Sequence, residues 1–365
     1  MFEHAADFEW RGEGEGAEIL LYAPDDATAE RAFEQILPAA NLPGVVSPVY
    51  ASASSLGLDL DLGWVTASET HVAPDLISAP ARGLLLVVNA FAADFGVPTG
   101  EVGDLISRNL SEVSLPRLGG AEVRRAVEAG AFWAAEESLI SEEDLDLFGA
   151  HTPGEPDVLP RRALSTGARY FDRYRRPEVY EVTELLDTEG AEALGLIPGA
   201  LVLSVSTTSE DLGRLALAIH RERILNRVWS GDFGSTAELP AAPLETEEAA
   251  DLLAATQAIV NYADARAALR LYELRRALVG EGELSLRGAW RLGGLAREAG
   301  CLLHRRNLAA VTRGNVLTAR NFLVVGTGAM RESAPPFGPD VEEDIWAWEE
   351  AGLLERVASL EPAKG

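Results

Sequence analysis

The side chains able to do chemistry are unevenly supplied in this sequence. Arginine is abundant, whereas Lys364 is the only lysine. A phosphate-binding P-loop needs a lysine on the phosphates, and an amine nucleophile needs one too, so both chemistries are excluded in practice. Cys301 is the only cysteine, which rules out an intrachain disulfide. The histidines are His4, His71, His151, His220 and His304. Cys301 and His304 stand at i and i+3, a two-point metal site if the segment is helical, although a lone pair of this kind is more often packing. His71 near Asp75 reads the same way.

The arginines cluster. Residues 161–176 carry six Arg and one Asp, residues 213–227 four Arg and one Glu, and residues 287–320 seven Arg and one Glu. The whole chain has a formal net charge of −27. Its surface at large therefore repels nucleic acid and anionic membranes, and any anion site must be local. Asp59 and Asp61 alternate on an expected strand and share a solvent face, and GEGEG at 12–16 reads as a flexible loop.

These groups need a scaffold. The chain has 365 residues, 47% of them apolar, enough for a sizeable core in one large domain or two. Residues 17–23 read as a strand, and Asp25-Asp26 offer an N-cap for a helix through about Leu37. Strands are expected near Leu58–Val65, Leu84–Val88 and Leu201–Val205. Ala121 to Leu145 reads as helix with a turn near Ser141. Thr246 is the expected N-cap of a long helix to about Val279, with Glu247 and Glu248 in its first turn. The Pro/Gly-rich run 151–160 is short enough for a surface loop rather than a domain linker. No run of about 18 apolar residues and no apolar leader is present, so a soluble, cytoplasmic protein without membrane contact is expected.

One stretch ties these pieces together. In Val311 to Met330, VTRGNVLTARNFLVVGTGAM, Thr312, Arg313, Asn315, Thr318 and Arg320 precede an apolar run, Phe322 to Val325. Gly326, Thr327 and Gly328 close it. This reads as a loop or strand, a buried strand and a Gly-rich turn whose backbone N–H groups suit an anion. The stretch resembles the RtcB family of RNA ligases, where it runs VTRKGAVSAR, an apolar strand, then PGSMG. Other matches follow the family's order: ANLP at 40–43, NYADAR at 261–266 for NFAFANR, CLLHRRN at 301–307 for a segment with CHHN, and DIWAWEEAGLLERVASLEPAKG for the closing segment.

The family's metal-binding positions have changed. Its DIGCG turn appears as SAPARG, 78–83, with Ala79 and Arg82 at the positions of the Asp and Cys. GSGNHFLE has become STGARYFD, with Ala168 for the Asn and Arg169 for the His. HSGSRGLGH has become STTSEDLGR, with Ser206 for the His. Arg305 and Arg306 stand where CHHN has histidines, and the PDVHLGKG loop has become Pro48 to Leu56 without His. The family's guanylylated His lies in a long segment after PGSMG. Here Met330 leads through a shortened region, 330–342, towards a closing helix.

The resemblance implies a single large α+β domain over 1–365, with mixed β-sheets packed with helices. Members use Mn and GTP for RNA ligation in tRNA splicing and RNA repair. Guanidinium stays protonated and cannot ligate a metal, so the resemblance, read residue by residue, implies a catalytically degenerate member with no catalytic residues and no cofactor. Two readings of the arginines stand open. They form an anion pocket for an RNA end or a nucleotide, with Arg82, Arg169, Ser206, Arg306, Arg313 and Asn315 as its members. Otherwise they make buried ion pairs that fill the disused cavity, and the protein serves a partner, such as an active ligase. The alternative is an active ligase joining RNA 3′-phosphate or 2′,3′-cyclic phosphate to 5′-OH with unrecognised ligands.

Overall fold

A computed structural model of the chain describes residues 2–6, 9–23, 25–56, 59–91, 94, 99–113, 119–149, 151–174, 176–278, 284–298, 300–309, 316–318, 321–326, 345–346, 349–350 and 354–362. The class is α+β. The strands are β1 (Phe2–Ala6), β2 (Glu9–Glu13), β3 (Glu18–Tyr22), β4 (Val45–Leu56), β5 (Asp59–Ser68), β6 (His71–Val72), β7 (Ala81–Phe91), β8 (Glu178–Leu185), β9 (Ala200–Thr208), β10 (Ala242–Pro243), β11 (Leu284–Glu298), β12 (Cys301–Ala309), β13 (Val316–Thr318), β14 (Phe322–Gly326) and β15 (Leu354–Pro362). The helices are α1 (Asp26–Ala40), α2 (Thr99–Glu112), α3 (Gly120–Ala129), α4 (Ala131–Glu136), α5 (Glu142–Phe148), α6 (Arg161–Tyr170), α7 (Thr188–Ala193), α8 (Glu210–Trp229) and α9 (Glu247–Ala277).

One mixed sheet runs β1-β2-β3-β4-β5-β12-β11-β7-β9-β8-β15-β14-β13, and β6 pairs with β10 apart from it. Among the described residues of the large sheet only β3 and β4 pair in parallel, joined by α1. The far end of the sheet rolls back, so that β13 packs against β11 and β7. Alternate residues of the central strands therefore enter two different cores. Leu84, Leu86, Leu203 and Val205 meet the helices, while Leu85, Val87 and Val202 meet β8, β14 and β15. A third core lies between α1 and strands β2–β5.

Helix α9 is the axis of the helical layer. Glu247 and Glu248 in its first turn suit the helix dipole, and the Thr246 hydroxyl accepts from the Ala249 N–H. It is buried for most of its length, which its many alanines permit by letting neighbours approach. Its polar residues Thr256, Asn261, Asp264, Arg266, Arg270 and Glu273 are buried with it. Buried polar groups must find partners, and these residues organise the region that faces the strand ends.

Several expectations need correction. The segment 121–145 is not one helix. Besides the expected turn near Ser141, which caps α5, it breaks at Gly130, whose φ of 60° and ψ of −136° lie outside the helical region. Cys301 and His304 lie on strand β12, where residues i and i+3 point to opposite faces, so they form no shared site. The closing segment ends in strand β15 rather than a helix. Of GEGEG, Gly12 and Glu13 end strand β2 and residues 14–16 make the tight turn into β3, with the Gly14 N–H donating to Ala17 O. Arg313 and Asn315, with the turn after Gly326 and the shortened region 330–342, lie outside the described residues.

Candidate anion-binding site

Of the expected site residues, Arg82, Ser206 and Arg306 lie on strands of the large sheet, but not in one pocket. Arg82 lies on β7 with Thr207 of β9 as its neighbour on one side and Arg291 of β11 on the other. It points into the helical layer. Its side chain is 5% exposed, and its Nε–H donates to Asp264 Oδ1 at 2.7 Å. A second guanidinium N–H donates to Phe148 O at 3.0 Å, and the group lies over the Phe148 ring at 5.4 Å. Asp264 is also held by Arg291 at 3.3 Å. Arg82 is thus committed to a buried ion pair with a second arginine beside it. Gly83, next along, has no room for a side chain, since a Cβ there would lie 2.1 Å from the Trp290 ring.

Ser206 pairs with Gly83, whereas Thr207 pairs with Arg82. By strand alternation Ser206 points to the face opposite Arg82. Arg169 is exposed in the last turn of α6, away from both clefts described below. Arg306 is half-buried on β12. The proposed grouping of Arg82, Arg169, Ser206 and Arg306 in one cavity is therefore not what the fold builds.

Two clefts meet at Glu210, in the first turn of α8. The larger has a volume of about 540 Å3 and lies between β12, α8 and the 3-10 turn Pro74–Leu76. Arg214, Arg221 and Arg306 line it, with Asp75, Glu210 and Ala79. Arg221 is held by both oxygens of Asp75, at 2.7 and 2.8 Å. Asp75 is thereby taken from His71, whose Nδ1 lies 2.8 Å from the Thr70 hydroxyl. Arg214 and Arg306 make no ion pair among the described residues. Three guanidinium groups against two carboxylates leave this cleft one positive charge.

The second cleft, of about 340 Å3, is lined by Arg173, Tyr174, Ser206, Thr208, Glu210 and Arg266, among others. Arg266 is 3% exposed and pins the region. Its terminal N–H groups donate to Thr208 O, to Arg173 O and to Asp211 at 3.4 Å. It lies over the rings of Tyr174 and Tyr262, each at 5.5 Å. The Tyr262 hydroxyl sits 2.9 Å from Gly167 O and 2.8 Å from Asp211 Oδ2. Burial raises the Tyr262 and Tyr174 phenols, so both stay protonated. Beyond them Glu273 pairs with Arg270 at 3.1 Å, yet burial outweighs that partner and pushes its carboxyl up to about 7.

Asn261 completes the pattern, donating to Glu128 O at 2.9 Å and Thr152 O at 3.0 Å. Asn261, Tyr262, Asp264 and Arg266 thus tie several parts of the chain to α9, with Asp211 shared by Tyr262 and Arg266, and NYADAR works as a clamp. The sequence signal for this was a polar motif inside an Ala-rich helix. Arg214 and Arg173 were legible only as parts of basic windows, and Tyr174 carried no signal of its own.

No family model matches the chain. It is similar to tRNA-splicing ligase RtcB of Methanococcus maripaludis, 24% identical over 242 residues, covering 64% of this chain and 46% of that protein. The same ligase of Thermococcus kodakarensis is 25% identical over 254 residues, 64% of this chain and 52% of that protein. That of Pyrococcus furiosus is 30% identical over 156 residues, 40% of this chain and 16% of that protein. The chain is a distant relative of RtcB. It spans about half or less of the length of these relatives.

Among the described residues the donor set does not fit the manganese that the resemblance to RtcB implies. Arg82, which the resemblance puts at the Cys position, makes an ion pair instead, and Arg306 is a fixed cation on the wall of the larger cleft. Among the described residues no three His, Cys, Asp or Glu side chains are placed to hold a metal ion. Among the described residues no helix is long and apolar enough to cross a membrane.

Proposed function

We propose that this protein is a catalytically degenerate relative of the RtcB ligases that binds a phosphate-terminated RNA end in the cleft between β12 and α8. One observation carries the reading: Arg214 and Arg306 face the same solvent-open cleft without a described carboxylate partner, while Arg82 is consumed by Asp264. Guanidinium groups in such a cleft bind phosphate oxygens in pairs of hydrogen bonds. They also hold an anion without supplying the electrophile that a metal-dependent phosphoryl transfer requires. The low local negative charge sets this cleft apart in a chain of net −27.

Filter binding with a 3′-phosphate RNA oligonucleotide tests it, at low and at physiological salt. Arg214→Ala and Arg306→Ala are each expected to weaken binding at least tenfold, since a hydrogen bond to a charged group contributes about 1.5–3 kcal/mol. Each should also flatten the salt dependence by about 0.7 in the log–log slope. Arg169→Ala, outside both clefts, should bind as wild type does. Equal binding by the Arg214/Arg306 double variant would refute the site. Incubation with labelled GTP and manganese should give no covalently labelled protein, and a stable label would refute degeneracy.

A further inference from the structure

The smaller cleft carries two buried donors that nothing described occupies. The Tyr174 hydroxyl and the Arg266 Nε–H are both buried without a partner, and both residues line the cleft. Leaving such groups unpaired is costly, and native structures seldom do so without a use. The Arg266 side chain has no freedom to turn elsewhere. Its terminal nitrogens are fixed on Thr208 O, Arg173 O and Asp211, and it lies over two tyrosine rings. Tyr174 is similarly held against Arg266 and, at 5.0 Å, Arg270.

We propose that this cleft binds a small phosphate monoester bearing hydroxyl groups, such as a sugar phosphate, with its phosphate on Tyr174, Arg266 and Arg173 and a hydroxyl on Glu210. The donors outnumber the acceptors. Arg173 lies over the Tyr170 ring at 4.8 Å and has no carboxylate partner among the described residues. The Thr208 hydroxyl oxygen accepts from the Glu210 N–H at 3.1 Å, which leaves its O–H free to donate. This array suits the three terminal oxygens of a phosphate better than the two of a carboxylate. Among the described residues Glu210 is the one carboxylate on the wall. It would repel a bare anion but accept from a hydroxyl, so it selects a ligand with both groups. A volume of about 340 Å3 equals that of about eleven water molecules at roughly 30 Å3 each, room for more than the phosphate alone.

This inference does not rest on the RNA-end reading, and the variants separate the two. Isothermal titration of the full chain with ribose 5-phosphate is expected to show one saturable site, with ribose alone not binding. Tyr174→Phe should weaken it at least tenfold and leave the ligand-free thermal midpoint unchanged or higher, because it deletes an unpartnered hydroxyl. Arg173→Ala, at an exposed position, should weaken it as well. Glu210→Gln should reduce the preference for ribose 5-phosphate over inorganic phosphate. Arg306→Ala should leave ribose 5-phosphate binding intact. No saturable binding, or unchanged affinity in Tyr174→Phe, would overturn the proposal. So would equal losses in Arg306→Ala and Tyr174→Phe, which would place the ligand in the other cleft.

Discussion

Arg82→Ala separates the two roles open to this arginine. In the structure it removes the 2.7 Å bond to Asp264, the 3.0 Å bond to Phe148 O and the contact with the Phe148 ring. Asp264, 11% exposed at its side chain, keeps only Arg291 at 3.3 Å. Breaking a buried pair by deleting one partner costs about 3–5 kcal/mol, and the surviving Arg291 argues for the lower end. For 365 residues at about 2.1 cal/mol/K each, the unfolding entropy is roughly 0.8 kcal/mol/K, so the midpoint should fall by about 4–6 °C. Differential scanning calorimetry measures it directly. The loss should persist in about 1 M salt, because a buried pair is poorly screened. An Arg82→Met/Asp264→Leu variant, with both charges gone, should recover much of it. A midpoint within about 1 °C of wild type, joined to weaker anion binding, would refute the reasoning and return Arg82 to the anion site.

Three further outcomes follow from the buried polar groups. Glu273 is raised from its usual 4.5 to about 7 by burial, so its contribution to stability is full below 4.5 and lost as pH rises through 7. By linkage this is on the order of 3 kcal/mol. Glu273→Gln should therefore unfold at a higher midpoint than wild type near pH 8 and differ least near pH 4.5. A constant difference across that range would refute it. His304 is fully buried on β12 with both ring nitrogens unpartnered, beside Thr66 of β5, and burial lowers it to about 4. Its folded form takes up a proton later than the unfolded chain does, so stability is lost as pH falls from 6.5 towards 4. His304→Leu should remove that acid-side loss and be neutral or stabilising at pH 7, and a large loss in urea melts at pH 7 would refute this. Tyr262→Phe deletes the hydroxyl that joins α9 to Gly167 and Asp211, and should cost about 1.5–3 kcal/mol in the same melts. No loss would show that the clamp does not depend on that group.

Much of the scaffold was legible from residue order. Short apolar runs marked β3, β7 and β9, and Thr246 with Glu247 and Glu248 marked the start of α9, because these signals are local and depend only on near neighbours. Motif order also pointed to the RtcB relationship. The helix expected over 121–145 failed at Gly130, which takes a φ of 60° that ends α3 and that a glycine adopts at little cost. Residue type alone established that the arginines at the family's ligand positions cannot bind metal. Whether an arginine is free for an anion depends on which carboxylate lies across the sheet or helix from it. Arg82 met Asp264, 182 positions away in sequence, while Arg306 met a cleft. Strand register then sent Ser206 to the opposite face. Those outcomes belong to the tertiary structure, because charge pairing acts through space and the chain order does not carry the distance.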